Sequence, residues 1–404
     1  MQSKKMSSKN SNPDMAEFSF YEFFCGGGMV REGLRDSWSC LFANDIDEKK
    51  AQAYISNWGN GEIIVGDIGK ITTQQLPNKA DLAWASFPCQ DLSLAGKGKG
   101  LDGERSGTFW SFWKIISSLE KEGRAPEILA LENVYGAITS HGGKDLTSIV
   151  EALSNLKYRV GAAVIDAAYF LPQSRPRLFI IGIKKSLDIP GILQLSHPNK
   201  LWHPASLQKV VSNFKEELKT NWTWWNIPTP NRQKIKLSNL IEDETPDNIW
   251  HPEEYTQKLI ESMSIVNKKK LEQANWTEKK IYGTAFRRTR NGTVRAEVRF
   301  DGVAGCLRTP GGGSSRQLLL EINAGKTRSR LLSPRESARL MGLPDQYKLP
   351  ENRNEAYHLT GDGVVVPVIR HLSKFLFEPI LNFNYFGESI NSNVYVRGTQ
   401  SSVI

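Results

Sequence analysis

Residues 18–34 read FSFYEFFCGGGMVREGL. The aromatic, apolar run Phe18–Phe24 has the composition of a buried strand, Gly26–Gly28 form a turn without side chains, and a helical pattern starts at Met29 and runs to Leu34. Strand, glycine turn, helix is how a nucleotide-type α/β unit opens, because bare backbone can approach a ligand at a helix start. The dinucleotide pattern GxGxxG is absent: after Gly26 and Gly28 the third glycine position is Arg31. A plain tight turn is the alternative meaning of three glycines.

The next strand ends repeat the theme. Cys40–Ala43 runs into Asn44-Asp45-Ile46-Asp47, which places an acid and an apolar side chain where a ribose and a purine ring are held. A helix follows over Glu48–Trp58, then a strand over Ile63–Val65 closed by Gly66-Asp67-Ile68. Each acid alone is as well explained as a helix cap. Three consecutive strand ends bearing glycines, Asp45 and Asp67 favour a purine-nucleoside cofactor.

The fourth strand spans 80–86, and the Phe87-Pro88 step forces an extended exit, since a residue before proline avoids the α region. Cys89 therefore stands just past a strand end. Behind it, QDLSLAGKGKGLDGERSG carries glycines at 96, 98, 100, 103 and 107 with Lys97, Lys99 and Arg105. That is a basic segment with no apolar period, suited to a moving lid. Cationic surroundings favour a thiolate nucleophile, whereas a buried structural cysteine is the competing reading. An amphipathic helix over Gly107–Lys121 then puts most of Phe109, Trp110, Phe112, Trp113, Ile116 and Leu119 in the core. Strand Ile128–Leu131 ends at Glu132-Asn133-Val134, so Cys89 and Glu132 can face one pocket. A carboxyl beside apolar strand residues has its pKa raised, which suits a proton donor to a ring nitrogen. Strands over Ala162–Ala167 and Leu178–Ile183 are joined through LPQSRPR, and in extended chain Arg175 and Arg177 share one face.

Beyond about residue 190 the βαβ alternation stops. Residues 191–300 are polar and tryptophan-rich, which suggests an inserted domain. Between Lys279 and Arg330 stand twelve Lys and Arg against Glu297, Asp301 and Glu321, so this segment carries an excess equal to the +9 of the whole chain. A one-sided block with Arg287-Arg288-Thr289-Arg290 and a glycine turn at 311–313 favours a polyanion partner over a solvated face. A Ser333-Pro334 start and Gly342 stop bound a helix over Leu332–Met341, and Val364–Phe377 reads as an apolar helix behind Gly361-Asp362-Gly363. The four cysteines, at 25, 40, 89 and 306, form no CxxC pair, and no histidine spacing suggests a metal site. No apolar run approaches a membrane span, and MQSKKMSSKNSNPDMAE lacks a signal-peptide core. The expectation is a soluble, cytoplasmic protein without metal or membrane contact.

These motifs, in this order, resemble the DNA (cytosine-5)-methyltransferase family of the bacterial restriction-modification type: FFCGGG, ANDID, GDI, Pro88-Cys89-Gln90, Glu132-Asn133-Val134, PQSRPR, a variable region, LLSPRESARLMGLPD and a glycine turn before the last helix. The resemblance implies an α/β fold, a Rossmann-like methyltransferase sheet with helices on both faces plus a smaller inserted target-recognition domain. It divides the chain into a disordered basic arm (1–17), a catalytic and cofactor domain (18–190), a target-recognition domain (191–330), a return to the catalytic domain (331–385) and a tail (386–404). Met29 stands where a further glycine is common, Gly361-Asp362-Gly363 replaces Gly-Asn-Ser or Gly-Asn-Ala, and Phe170 occupies a position often glycine.

By the same resemblance Cys89 adds to C6 of a flipped-out cytosine and Glu132 binds its N3 edge. Arg175 holds the base O2, and Arg177 orders the site. S-adenosyl-L-methionine is the cofactor, its methionine end lined by Phe24, Gly26 and Gly28, its ribose and adenine met by Asp45, Ile46, Asp67 and Ile68, with Pro88, Gly361 and Asp362 also in contact. Double-stranded DNA would meet Gln90, Ser93, Lys97, Lys99, Arg105, Arg287, Arg288, Arg290, Arg308, Thr309, Gly311, Gly312 and Arg316. The protein would act as a monomer on DNA, beside a cognate restriction endonuclease. The alternatives are a tRNA cytosine-5 methyltransferase of the same fold, whose recognition region is usually shorter, and a non-catalytic DNA-binding relative. A nicotinamide oxidoreductase is disfavoured because the glycine fingerprint fails.

Overall fold

The computed structural model describes residues 17–88, 107–230, 235–242, 249–275, 279–290, 292–310, 316–390 and 395. Cys89, Gln90, Ser93, Lys97, Lys99, Arg105, Gly311 and Gly312 lie outside the described residues, as do the arm, most of the tail and the side chain of Arg290.

Thirteen strands form two sheets among these residues. The large one contains β1 (Phe18–Phe23), β2 (Trp38–Asp45), β3 (Ile63–Val65), β4 (Leu82–Ala85), β5 (Ile128–Val134), β6 (Tyr158–Asp166), β7 (Pro176–Lys184), β8 (Gln194–Leu195) and β9 (Trp222–Trp225), in the order β3-β2-β1-β4-β5-β7-β6-β9-β8. The first five run parallel, and β7 is antiparallel to both β5 and β6. A parallel strand covered on both faces needs apolar residues on both. Accordingly Phe18 and Phe20 of β1 face one core cluster while Tyr21 and Phe23 face the other; Leu82 and Trp84 of β4 alternate in the same way with Ala83 and Ala85.

One face is covered by α1 (Met29–Leu34), α2 (Glu48–Trp58) and the C-terminal helices, the other by α3 (Thr108–Lys121), α4 (Lys144–Asn155), α5 (Ala205–Ser212) and α6 (Glu216–Thr220). Asp47 caps α2 by accepting from the Lys49 and Lys50 amides. In α3, Phe109, Phe112, Ile116 and Leu119 are buried as the periodicity requires, joined by Ile115, while Trp110 and Trp113 are half-buried.

The small sheet is antiparallel, β11 (Thr293–Arg299), β10 (Ile281–Arg290), β12 (Leu318–Asn323) and β13 (Lys326–Leu331) in that order. It has its own apolar cluster, to which α7 (Glu253–Glu261) contributes Leu259 and α8 (Ile265–Asn275) contributes Leu271 and Ala274. Within 191–330, β8 and β9 pair into the large sheet rather than this one. The chain returns through α9 (Pro334–Leu340), whose start is a capping box: Ser333 Oγ accepts from the Glu336 amide, and Glu336 accepts from the Ser333 amide. Glu336 also grips Arg330 of β13 through two hydrogen bonds of 2.6 and 2.7 Å in a fully buried pair. Then follow α10 (Arg353–Asp362), α11 (Val366–Leu372) and α12 (Glu378–Phe386).

Three elements differ from the sequence reading. β5 continues to Val134, so Glu132 lies within the strand, paired with Phe179 of β7. Gly361 and Asp362 close α10 instead of forming a free turn. The apolar run expected as one helix begins at Val366 and passes through a π-helical turn at Ser373–Phe377 into α12.

Candidate active site

The parallel strands release their chains on one side, and the cavity bordering the ends of β1, β2, β4 and β5 has a volume of about 920 Å³. Phe24 leaves β1 with φ 57°, a conformation costing a non-glycine residue about 1 kcal/mol or more. The Cys25 amide donates to the Asn44 carbonyl, which carries the chain across β2. The Gly26 amide then donates to Asp45 Oδ2 (2.7 Å), while Asp45 Oδ1 accepts from the Asp47 amide (2.8 Å). Asp45 thus fixes both the glycine turn and the start of α2. Each carboxylate oxygen retains a second lone pair.

The other walls come from Ser86–Pro88, Glu132–Val134, Arg175, Arg177, Cys306–Thr309 and Gly361–Val364. Glu132 is buried, and Arg177 Nε lies 3.1 Å from its Oε1. Burial raises the Glu132 pKa; the charges of Arg177 and Arg175 oppose the rise. Asn133 donates through Nδ2 to the Phe87 carbonyl (3.0 Å), tying β5 to the chain just before Pro88. Arg175 is 2% exposed, and its two Nη atoms bind the carbonyls of Leu307 (2.7 Å), Gly361 (2.9 Å) and Gly363 (2.8 Å). Its Nε is buried without a partner among the described residues. A Cβ on Gly361 would come 2.5 Å from the Thr309 amide nitrogen, so glycine there lets the segment from the small sheet cross the end of α10. Asp362 binds Lys50 Nζ (2.5 Å) with one oxygen and the Thr309 hydroxyl with the other.

Of the sequence-predicted residues, Phe24, Gly26, Asp45, Ile46, Pro88, Glu132, Arg175, Arg177, Arg308, Thr309, Gly361 and Asp362 line this one cavity. Gly28 lies behind it, packed on Tyr54 and Trp58. Asp67 is exposed and accepts from the Gly69 amide, while Ile68 is buried in the core; neither lines the cavity. Arg287, Arg288 and Arg308 border a second cavity of about 590 Å³, with Cys306 and Arg308 common to both. Arg316 instead binds Asn354 and stacks on Tyr357.

Several contributors carry no site role in the sequence reading, among them Lys50, Leu307, Gly363, Asn133 and Glu22. Asn133 appears there only within its motif. Glu22, in β1, lines the cavity at 0% exposure, facing the backbone amides of Val30 and Arg31 at the start of α1. Burial pushes its pKa up to about 8 against the pull of Arg31. A lone acid within an otherwise apolar strand was the available signal. The cysteines also separate: burial pushes the Cys25 thiol well up and Cys40 up to about 12, so neither supplies a thiolate near neutral pH.

The cavity fits S-adenosylmethionine. It offers a buried carboxyl, Glu22, for a cationic centre, Asp45 beside the glycine turn, and Ile46 left 67% exposed at the wall where a planar ring would cover it.

A family model described as C-5 cytosine-specific DNA methylase matches residues 18–378. The Type II methyltransferase M.HpaII of Haemophilus parainfluenzae is 29% identical over 380 residues, covering 92% of this chain and 93% of its own. M.HhaI of Haemophilus parahaemolyticus, also a Type II methyltransferase, is 27% identical over 356 residues, covering 88% and 92%. Among solved structures, S. pombe Dnmt2 methyltransferase superposes with a TM-score of 0.60 at 16% identity, covering 90% of this chain and 98% of that one.

Proposed function

The chain belongs to the C-5 cytosine-specific DNA methylase family, and from that membership we propose that it methylates C5 of a flipped-out cytosine within a specific duplex sequence, using Cys89 as a covalent nucleophile. The observation that carries this reading is that Glu132 and its partner Arg177 share one cavity with the Asp45-held glycine turn and with Pro88, the residue before Cys89.

A cytosine in a duplex hides C6 and N3, so the base leaves the stack at a cost of a few kcal/mol. Glu132, kept protonated to higher pH by burial, gives a hydrogen bond or proton to N3, and Arg177 fixes its orientation. Electron withdrawal at N3 makes C6 electrophilic toward the Cys89 thiolate. Arg175 holds the wall with its Nη atoms and offers Nε to the base O2. S-adenosylmethionine supplies an electrophilic methyl group, held by Glu22, Asp45, Ile46 and the glycine turn. With Cys89 bonded to C6, C5 becomes the nucleophilic carbon that would take the methyl group; passage of the C5 proton to water, expulsion of the Cys89 thiolate and return of the N3 proton to Glu132 then restore the enzyme.

The duplex would lie over the cationic second cavity, with phosphates positioned by Arg287, Arg288 and Arg308 and by Arg290, whose side chain lies outside the described residues. Gln90, Ser93, Lys97, Lys99, Arg105, Gly311 and Gly312, which lie outside the described residues, would complete the DNA contacts. The Type II relatives support a cytoplasmic bacterial role beside an endonuclease of the same specificity. The test is transfer of labelled methyl to unmethylated genomic DNA and to bulk tRNA in parallel, with bisulfite sequencing of labelled DNA. Label at one short DNA motif supports the proposal; label on tRNA alone replaces it with the tRNA reading.

A further inference from the structure

Among the described residues three large apolar side chains are about two-thirds or more exposed: Ile46, Ile265 (76%) and Val266 (65%). Ile46 borders the cofactor cavity. Ile265 and Val266 open α8, and the run Lys268-Lys269-Lys270 follows them. Val266, Asn267 and Lys270 line the second cavity, together with Arg287, Arg288, Arg299 and Arg308. Since Cys306 and Arg308 border both cavities, this cleft continues into the reacting one. The helix is held in place: Leu271 and Ala274 are buried against the small sheet, and Asn267 Oδ1 accepts from the Val298 amide (3.2 Å). The two side chains therefore stay outside while their own helix is anchored.

A polyanion accounts for the lysines and arginines but not for a β-branched pair set among them. What a duplex offers an apolar group is the C5-methyl of thymine in the major groove, which is also wide enough to admit a helix or a two-stranded ribbon such as β10–β11. We propose that Ile265 and Val266 read thymine methyl groups of the target site while Lys270 meets a phosphate. This rests on the duplex-DNA reading above and deepens it, assigning sequence discrimination to a helix of the variable region.

The experiment uses the full chain and a duplex bearing the bisulfite-identified site, made with thymine or with uracil, which lacks only that methyl. The wild type should bind the thymine duplex about 5- to 10-fold more tightly. The Ile265→Ser/Val266→Ser variant should bind both duplexes alike, with an unchanged salt slope because no charge is removed. Lys270→Gln should lower that slope by about one. Both changes are at exposed positions, and an unchanged melting temperature verifies folding. Equal sensitivity of wild type and variant to uracil, or a variant that alters only self-association in light scattering, overturns the proposal. A wild type that methylates no DNA overturns the functional reading as well, and so is distinguished from failure of this inference alone.

Discussion

Arg177 Nε stands 3.1 Å from Glu132 Oε1, so the buried carboxyl proposed to activate the base is held by a cation from the neighbouring antiparallel strand. The two effects on Glu132 oppose each other: burial favours the protonated form and Arg177 the charged one. Glu132→Gln should reduce kcat by about 10²-fold or more with DNA affinity nearly unchanged. Arg177→Lys keeps the charge without the same reach, and should raise the Glu132 pKa and move any alkaline loss of kcat upward. A pH–rate profile unchanged in both variants contradicts the assignment.

Glu22 makes stability fall with rising pH. Its folded pKa is raised to about 8 from an ordinary 4.5, so the folded chain keeps a proton that the unfolded chain releases. Its contribution is complete below about 4.5 and lost as pH passes 8, on the order of a few kcal/mol. Urea unfolding of Glu22→Gln at pH 5 and pH 8 should show a flatter dependence than the wild type. The same carboxyl predicts that S-adenosylmethionine binds more tightly as pH rises toward 8, because a cation favours the ionised form. Equal pH slopes for wild type and Glu22→Gln refute both statements.

Met29 occupies the space that a side chain at Gly363 would need. A Cβ at 363 would come 2.3 Å from Met29 Sδ, so a side chain cannot be added there while Met29 stays in place. Gly363→Ser alone should weaken cofactor binding several-fold, and Met29→Gly with Gly363→Ser should recover most of it. Calorimetric titration with S-adenosylmethionine separates the cases; additive losses would contradict the pairing.

Arg330 and Glu336 join the small sheet to α9 without solvent contact. Glu336→Ala leaves a buried guanidinium unpaired and should cost about 3–5 kcal/mol, read by chemical denaturation. A loss below about 1 kcal/mol would mean that the pair is dispensable.

Much of this was legible in the sequence because parallel strands expose their ends in chain order: the glycine turn, Asp45, Pro88 and Glu132 fall where the apolar runs stop. The departures from the family pattern were legible only as departures. Their partners lie far away in sequence: Gly363 for Met29, Lys50 for Asp362, and the His371 ring against Phe170. No local pattern reports such a contact. Asp67 and Ile68 had the right motif, but β3 is followed by a 3₁₀ helix that Asp67 caps through one oxygen while Ile68 is buried, so neither faces the cavity in this arrangement. Arg175 and Arg177 line one cavity, as their alternation suggested, but the first reaches the carbonyls of Leu307, Gly361 and Gly363 and the second reaches Glu132, a division set by partners far along the chain.

The most direct test of the central claim is capture of the covalent adduct. A duplex carrying 5-fluorocytosine at the target position blocks release, because fluorine cannot leave as the C5 proton does. With S-adenosylmethionine present, the wild type should form a stable protein–DNA complex whose peptide map places the link at Cys89, and Cys89→Ala should form none while still binding the duplex. A link at Cys306, or a complex that persists in Cys89→Ala, would contradict the account.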